Sequence, residues 1–245
     1  MELTRFRGHL LKGKDPDVGS SILVKFLMPP SSFPRRPHLV IFDWDGTLFD
    51  GDFLLDEAIT RVCKQKGRHE IRTLLAPMLF KEGRTLPLPM LPLDPAMKLR
   101  LIADIYKEQA RLEAAADVFP GITQLLDRLA SAKVLIAIAT GSSRARFETL
   151  AARTKVLDRI SASVCAAETK PKPHPEMLEH LMAKLSIERE VTLYVGNSQD
   201  DCAMAKHARV PYCSVSFCRR AKEARTHGKS HYHANSVESL ARILE

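Results

Sequence analysis

The stretch Leu39-Val-Ile-Phe-Asp43-Trp-Asp45-Gly46-Thr47 gives the clearest indication of the fold. It begins as an uninterrupted apolar run and ends in two carboxylates followed by a glycine, which is a turn signal. A run of this kind predicts a strand that is buried on both faces, as strands of parallel sheets are. Ligand sites of open α/β sheets lie beyond the carboxyl ends of such strands. We therefore expect Asp43 and Asp45 to emerge side by side in a crevice.

The two carboxylates have a functional and a purely structural interpretation. Carboxylates this close repel each other, so they persist mainly where a cation or shared chemistry offsets the repulsion. An Asx turn is the structural alternative, because short acidic side chains often build one after a strand. A calcium loop needs a glycine at its sixth position and an acid at its twelfth. Counted from Asp43, Gly46 is fourth and Leu54 is twelfth, which excludes that loop.

Composition bounds the class of protein. The chain has 245 residues and is 45% hydrophobic, enough for one large core or for a core with a small second domain. The longest early apolar run, Ile22 to Met28, contains Lys25 and is much shorter than a membrane helix, so we expect no membrane segment. Five cysteines without a C-x-x-C motif disfavour a disulfide scaffold or zinc site and favour a cytoplasmic location.

The net charge of +8 is concentrated in two segments. Residues 1–37 carry seven Lys or Arg against three Asp or Glu, and residues 219–231 carry five against one, so each segment contributes +4. The remainder sums to zero. Solvated basic segments explain this distribution better than a nucleic-acid-binding face, which would spread over the fold.

The chain divides into three kinds of segment. Residues 1–37 have many Gly, Ser and Pro and no sustained periodicity, which predicts an irregular basic arm. Residues 38–50 and 118–245 alternate apolar runs with amphipathic stretches, the pattern of a doubly wound parallel sheet. Residues 51–117 have helical patterns only, which predicts a helical insertion after the first strand.

Local signals give the element bounds. In the insertion we predict one helix capped by Asp56, a second at Glu70–Phe80, and a third from Pro95, capped by Asp94, to about Ala116. In the core we predict strands at His38–Phe42, Val134–Ala139, Ile160–Ala166, Val191–Val195 and Tyr212–Phe217, and helices that include Ile122–Ser131 and Ser236–Leu244.

Polar side chains follow four of the predicted strands. Carboxylate and amide oxygens hold hard cations, whereas hydroxyls, ammonium groups and helix N-termini hold dianions. Phosphoryl transfer needs both, because its catalysis is positioning and charge neutralisation. A carboxylate nucleophile becomes competent when cations offset its repulsion from the phosphate. The side chains in question are Asp43 and Asp45, Thr140 and Ser142, Lys172, and Asn197 and Asp201.

With these residues at its strand ends, the chain resembles members of the haloacid dehalogenase-like (HAD) hydrolase superfamily, of the phosphoglycolate phosphatase-like kind. The resemblance spans about residue 39 to the end, and it is specific because four motifs occur in order, each after a strand. The motifs are Asp43-Trp-Asp45-Gly46-Thr47-Leu48, the strand ending in Thr140-Gly141, Lys172-Pro-His-Pro-Glu176, and Tyr194-Val-Gly-Asn197-Ser-Gln-Asp-Asp201.

The resemblance implies an α/β fold: a Rossmann-like, doubly wound parallel sheet core with an inserted all-helical cap. It implies Mg2+-dependent hydrolysis of a small phosphorylated metabolite, a phosphoglycolate-like monoester. Asp43 would attack phosphorus and form an aspartyl-phosphate, and Asp45 would act as acid and then as base. Thr140 and Lys172 would hold phosphoryl oxygens. The further implied phosphate-binding residues are Gly46, Thr47, Gly141 and Ser142, and the implied Mg2+ ligands are Asp43, the Asp45 carbonyl, Asn197 and Asp201.

Two assignments stay open at the level of sequence. Lys170 also precedes a proline and competes with Lys172, which we favour because Lys-Pro-His-Pro leads directly into a helix. The family usually has Asp where this chain has Asn197, and an uncharged amide predicts weaker Mg2+ binding. Two other functions also stay open. One is a β-phosphoglucomutase-type phosphomutase. The other is a binding or regulatory protein on a degenerate core, which Asn197 and the basic segments slightly favour and the intact Asp43, Asp45, Thr140 and Lys172 oppose. The presence of Asp45 disfavours a haloacid dehalogenase.

Overall fold

The computed structural model describes residues 36–79, 91–218 and 230–245. The predicted basic arm therefore lies outside the described residues except for its last two, as does most of the second basic segment. The strands are β1 (Leu39–Phe42), β2 (Leu135–Ala139), β3 (Ala162–Val164), β4 (Thr192–Gly196), β5 (Tyr212–Val215) and β6 (Tyr232–Ala234). The helices are α1 (Leu54–Gln65), α2 (His69–Leu79), α3 (Pro95–Ala115), α4 (Ile122–Ser131), α5 (Arg144–Arg153), α6 (Glu176–Leu185), α7 (Gln199–Ala208) and α8 (Val237–Leu244).

The six strands form one parallel sheet in the order β3-β2-β1-β4-β5-β6. The chain runs outward from β1 to β3 on one side and from β4 to β6 on the other. The strand order thus reverses between β1 and β4, and a crevice opens at such a switch point beyond the carboxyl ends. The predicted α/β fold with a doubly wound parallel sheet is confirmed.

β1 is the central strand and is buried on both faces, as predicted. Its residues are fully inaccessible and alternate between two apolar layers. Val40 and Phe42 pack in the layer that includes α4, α5 and α8, whereas Leu39 and Ile41 pack in the layer that includes α6 and α7. Because both faces are covered, only the ends of β1 can present polar groups to solvent, and Asp43 follows its carboxyl end.

Helices α1 to α3 form a separate apolar cluster, centred on residues such as Ile59, Ile71 and Ile105. The predicted cap of α3 is confirmed, because the Asp94 side chain accepts a hydrogen bond from the Met97 N–H at 3.0 Å. In the described part of the chain, no helix is long and apolar enough to cross a bilayer.

The predicted cap of α1 is wrong. The helix starts earlier than expected, at Leu54, and Phe53 occupies the N-cap position without a side-chain hydrogen bond. The tight turn after β1 continues directly into the helix, since the Leu54 N–H already bonds the Gly51 carbonyl at 3.2 Å. Asp56 instead lies in the first turn, where a carboxylate favours the helix dipole.

Three strand predictions needed correction. β3 is shorter than the predicted Ile160–Ala166, because the chain turns at Ala166, whose N–H bonds the Ser142 carbonyl at 2.9 Å. β5 ends at Val215 rather than Phe217. β6 was missed: only three residues long and next to the basic segment, it shows no hydrophobic run that could mark it.

Candidate active site

The predicted polar residues meet at the carboxyl edge of the three central strands. Asp43 follows β1, and its N–H donates to the Val195 carbonyl of β4 at 2.9 Å. Thr140 follows β2 and donates its N–H to the Val164 carbonyl of β3 at 3.0 Å. Asn197 follows β4. The sheet register therefore brings residues from distant parts of the chain to one crevice.

Lys172 joins this group from the loop after β3. Its Nζ donates to Asp43 Oδ1 at 2.6 Å, to Asp201 Oδ1 at 2.7 Å and to the Tyr194 hydroxyl at 2.9 Å. Its side chain is 12% exposed, whereas that of Lys170 is 67% exposed and lies 4.0 Å from Glu176. The geometry thus favours Lys172 over Lys170 as the lysine of the site.

Asp43 lies in an environment that makes its carboxylate reactive. Burial raises the pKa of Asp43 from 3.8 to about 6; Lys172 opposes this rise, and the neighbouring Asp201 and Asp45 add to it. One carboxyl oxygen of Asp43 accepts from Lys172. The other has no hydrogen-bond partner among the described side chains and backbone groups. A partly desolvated oxygen with no donor on it is well suited to attack an electrophile or bind a cation.

Asp201 is held more tightly than Asp43. Its Oδ1 accepts from Lys172 and from Tyr194, and its Oδ2 accepts from the Ser198 hydroxyl at 2.6 Å and from the N–H groups of Asn197 and Ser198. Burial opposes ionisation, but Lys172, Ser198 and Tyr194 outweigh it and lower the pKa of Asp201. The carboxylate is fully occupied, so in this arrangement it serves first to hold Lys172.

We expect replacement of Lys172 by methionine to destabilise the fold by ~3–5 kcal/mol, because two buried carboxylates lose their shared cation. Lys170→Met should change the free energy of unfolding by less than about 0.5 kcal/mol, since that lysine is exposed. Urea unfolding followed by the fluorescence of Trp44, the single tryptophan, measures both. Equal small effects of the two substitutions would contradict the placement of Lys172.

The second acidic residue, Asp45, forms an ion pair with Arg146, whereas Asp43 pairs with Lys172. The guanidinium of Arg146 binds Asp45 bidentately: Nη1 donates to Oδ2 and Nη2 donates to Oδ1, each at 2.8 Å. The Ser142 hydroxyl donates to Oδ2 at 2.9 Å and accepts from Arg146. Arg146 Nε also donates to Glu113 at 2.7 Å. Burial alone would lower the pKa of Arg146. The carboxylates of Asp45 and Glu113 outweigh burial, so the pKa of Arg146 is raised above its ordinary value.

Sequence reasoning missed Arg146, Glu113 and Tyr194 as parts of the site. Arg146 lies in the first turn of α5 and Glu113 in the last turn of α3, so 32 residues separate them in the sequence and no motif joins them. Tyr194 was part of a quoted motif, but its position inside β4 indicated only packing. The one sequence signal, a basic residue within one helical turn of the polar end of β2, is shared by Arg144 and Arg146 and does not distinguish them.

The glycines and hydroxyls of the motifs shape the crevice. Gly46 has φ of +78°, and a Cβ there would lie 2.3 Å from the Asn197 amide nitrogen, so the turn requires glycine. The Thr47 hydroxyl donates to Asn197 Oδ1 at 3.4 Å. Thr140 Oγ1 accepts from the Ser142 N–H at 3.0 Å. A Cβ at Gly141 would meet nothing within 4 Å, so Gly141 borders open space.

The donors for a metal ion are oxygen atoms of mixed type. In the described residues, no three His, Cys, Asp or Glu side chains are arranged to hold a metal. The group at the crevice nevertheless has the chemistry of a Mg2+ site: the Asp43 oxygen without a donor, the Asp45 main-chain carbonyl, and the amide oxygen of Asn197. Asp201 is the fourth predicted ligand; in this arrangement it is 1% exposed and both of its carboxylate oxygens accept hydrogen bonds.

The similarity to known proteins covers the part of the chain that contains the four motifs. Residues 40–215 match the family described as haloacid dehalogenase-like hydrolase. The chain is 30% identical over 189 residues to a protein described as the probable phosphatase IndB of Dickeya dadantii, covering 73% of this chain and 81% of that protein. It is 29% identical over 196 residues to the phosphoglycolate phosphatase of Rhodospirillum rubrum, covering 74% and 80%.

Solved structures agree on the fold. A HAD-superfamily hydrolase of subfamily IA from Geobacter sulfurreducens superposes with a TM-score of 0.65, at 20% identity, over 86% of this chain and 99% of that one. The family match covers most of the chain, from β1 to the end of β5, and includes all four motifs. The protein belongs to the haloacid dehalogenase-like hydrolase family.

Proposed function

We propose that this hydrolase is a Mg2+-dependent phosphatase that cleaves a small, phosphoglycolate-like phosphate monoester through an aspartyl-phosphate. The observation that carries the proposal is the state of Asp43. One oxygen of its carboxylate accepts a hydrogen bond from Lys172, and the other accepts none from the residues that the structure describes. Relatives named as phosphatases support the substrate class.

In the first step, Asp43 attacks phosphorus, the bond from phosphorus to the ester oxygen breaks, and Asp45 delivers a proton to the departing oxygen. In the second step, Asp45 takes a proton from water, the water oxygen attacks phosphorus, and Asp43 is released with inorganic phosphate. Lys172 and Thr140 hold the non-bridging oxygens throughout. The N-terminus of α5, beyond Gly141 and Ser142, offers further N–H donors to the dianion.

The metal would be held by Asp43, the Asp45 carbonyl and Asn197, whereas Asp201, the fourth predicted ligand, holds Lys172 in this arrangement. When bound, Mg2+ supplies charge neutralisation between the attacking carboxylate and the phosphate. The chain's own contribution is a fixed oxygen cradle, which the turn at Gly46 builds by bringing the strand end of β1 against the side chain of Asn197.

Asn197→Asp should tighten the apparent Mg2+ affinity about tenfold or more, because a carboxylate adds a full charge where the amide has none. Mg2+ titration of phosphatase activity in the wild type and the variant measures this. Asn197→Ala serves as the control and should weaken the affinity relative to wild type. Equal apparent affinities of wild type and Asn197→Asp would show that residue 197 does not face the ion.

We further propose that residues 51–117 act as a cap over the 38–50 and 118–245 core. Helices α1 to α3 leave the core directly after the Asp45 turn and return just before α4, so they border the crevice. A cap of this size suits a small metabolite. The five cysteines carry no disulfide, which fits a cytoplasmic location.

A panel of phosphorylated metabolites, assayed for phosphate release with Mg2+ and with EDTA, tests the function. We expect release from a small monoester that EDTA abolishes. Transfer of the phosphoryl group to a sugar phosphate faster than to water would identify a phosphomutase instead. No turnover of any ester, together with salt-sensitive nucleic-acid binding by the full chain, would identify a binding protein on a degenerate core.

A further inference from the structure

Arg146 is a buried cation that the proposed reaction does not use. Lys172 already serves the phosphoryl side, since it contacts Asp43 and Asp201. Arg146 shares neither of these partners and pairs with Asp45 and Glu113 instead. Its side chain is 20% exposed, so it lies at the edge of the crevice rather than in the core. The site thus holds two cations on two different acids.

The position of Arg146 follows from the role of Asp45. In the proposed mechanism Asp43 attacks opposite the departing oxygen, and Asp45 contacts that oxygen. A guanidinium that contacts Asp45 at 2.8 Å lies at most about two hydrogen-bond lengths from the leaving oxygen. The proposed role of Asp45 thus places Arg146 on the leaving-group side of the reaction.

The donors of Arg146 are not all used. A guanidinium side chain has five N–H groups. Nε donates to Glu113, Nη1 donates to Asp45 and to Ser142, and Nη2 donates once to Asp45. The second N–H of Nη2 has no acceptor in the part of the chain that the structure describes. One donor is therefore available to a ligand before any rearrangement.

Catalysis would release a second donor. Both oxygens of Asp45 are occupied, Oδ1 by Arg146 and Oδ2 by Arg146 and Ser142. An Asp45 side chain that turns to the ester oxygen in the proposed reaction leaves at least one N–H of Arg146 without its present acceptor. A buried guanidinium left without an acceptor is costly, so a substrate group that replaces Asp45 is favoured. A planar carboxylate accepts two N–H groups of a guanidinium side by side.

The scaffold holds Arg146 ready for such a ligand. Glu113 fixes Nε, and Gln109 in turn donates to Glu113 at 2.8 Å. Arg153, also on α5, donates to the main-chain carbonyls of Glu113 and Ala116, which ties the end of α3 to α5. Preorganisation of this kind lowers the entropic cost of binding.

We propose that Arg146 binds a carboxylate of the substrate close to the ester oxygen, so that the preferred substrates are phosphate monoesters of short 2-hydroxy acids. This specificity role rests on the proposed phosphatase function. It assigns to Arg146 the discrimination between anionic and neutral leaving groups, and to Glu113 the positioning of Arg146.

The test compares two esters of nearly equal size, 2-phosphoglycolate and 2-hydroxyethyl phosphate, which differ by a carboxylate against a hydroxymethyl group. In the wild type we expect kcat/KM to favour phosphoglycolate by about 100-fold. In Arg146→Gln this ratio should fall to within about threefold of one. The ratio cancels any loss that affects both esters equally, including a disturbed Asp45.

Two further variants keep the test decisive. Arg144→Gln, on the same helix turn but paired with Glu168 at 2.7 Å, should keep the wild-type ratio. Arg146→Lys preserves the charge and replaces Arg146→Gln in the test if that variant does not fold. Folding is judged by thermal unfolding followed by Trp44 fluorescence. Arg146→Lys should give an intermediate ratio, because an ammonium cannot bind a carboxylate bidentately.

The outcomes separate the two proposals. A wild-type ratio near one, or equal losses on both esters in Arg146→Gln, would overturn the specificity role and leave the phosphatase function intact. If neither ester nor any other monoester is hydrolysed, the phosphatase function fails and the role of Arg146 fails with it.

Discussion

Asp43→Asn is expected to reduce phosphatase turnover by about 10⁴-fold or more, because the variant lacks the oxygen nucleophile and cannot form the covalent intermediate. The amide has nearly the shape of the carboxylate, so the crevice keeps its form. Initial rates with p-nitrophenyl phosphate at saturating Mg2+ measure the effect. Residual activity within tenfold of wild type would show that Asp43 is not the nucleophile.

Asp43→Asn should lose activity without losing stability, so the loss of activity can be assigned to chemistry rather than to unfolding. Because the pKa of Asp43 is about 6 in the folded state and 3.8 for an ordinary exposed aspartate, the folded state keeps its proton to higher pH than the unfolded state. Stability of the metal-free wild type should therefore fall as pH rises through this window. Asp43→Asn should lack that fall, and Lys172 keeps Asp201 and Tyr194 as partners.

Asp45→Asn is expected to convert steady turnover of p-nitrophenyl phosphate into a burst. p-Nitrophenolate leaves readily without a proton, so Asp43 can still be phosphorylated. The second step loses its general base and should slow by about 10²- to 10⁴-fold. Stopped-flow absorbance should show one equivalent of p-nitrophenolate per chain, followed by a slow phase.

An alkyl phosphate is the matched control for this burst. Its leaving oxygen needs the proton, so Asp45→Asn should slow both steps and give no burst. A burst with both esters would argue against Asp45 as the acid. No burst with either, at unchanged steady rate, would argue that Asp45 has no catalytic role.

The sequence was most informative where a short segment is enough to predict both its secondary structure and its burial. The apolar run before Asp43 specifies a doubly buried strand, and such a strand can only sit at the centre of a parallel sheet. The polar residues at the ends of β1, β2 and β4 then have to meet, because parallel strands share one carboxyl edge. Asp94 and Pro95 likewise fix the start of α3 by local hydrogen bonding alone.

Features that depend on distant contacts could not be predicted. Arg146 has the same local pattern as Arg144, and only the packing of α3 against α5 decides which arginine meets Asp45 and which meets Glu168. Lys172 and Lys170 are equally ambiguous in sequence, since burial distinguishes them and burial depends on the whole fold. β6 is stabilised by its pairing with β5 rather than by its own three residues.

The most direct test of the account is to locate the phosphoryl group. Asp45→Asn is mixed with p-nitrophenyl phosphate, quenched in acid at the end of the burst, digested and analysed by mass spectrometry. We predict that one phosphoryl group per chain lies on Asp43, and that the double variant with Asp43→Asn carries none. A phosphoryl group on any other residue, or a full burst from an unmodified chain, would contradict it.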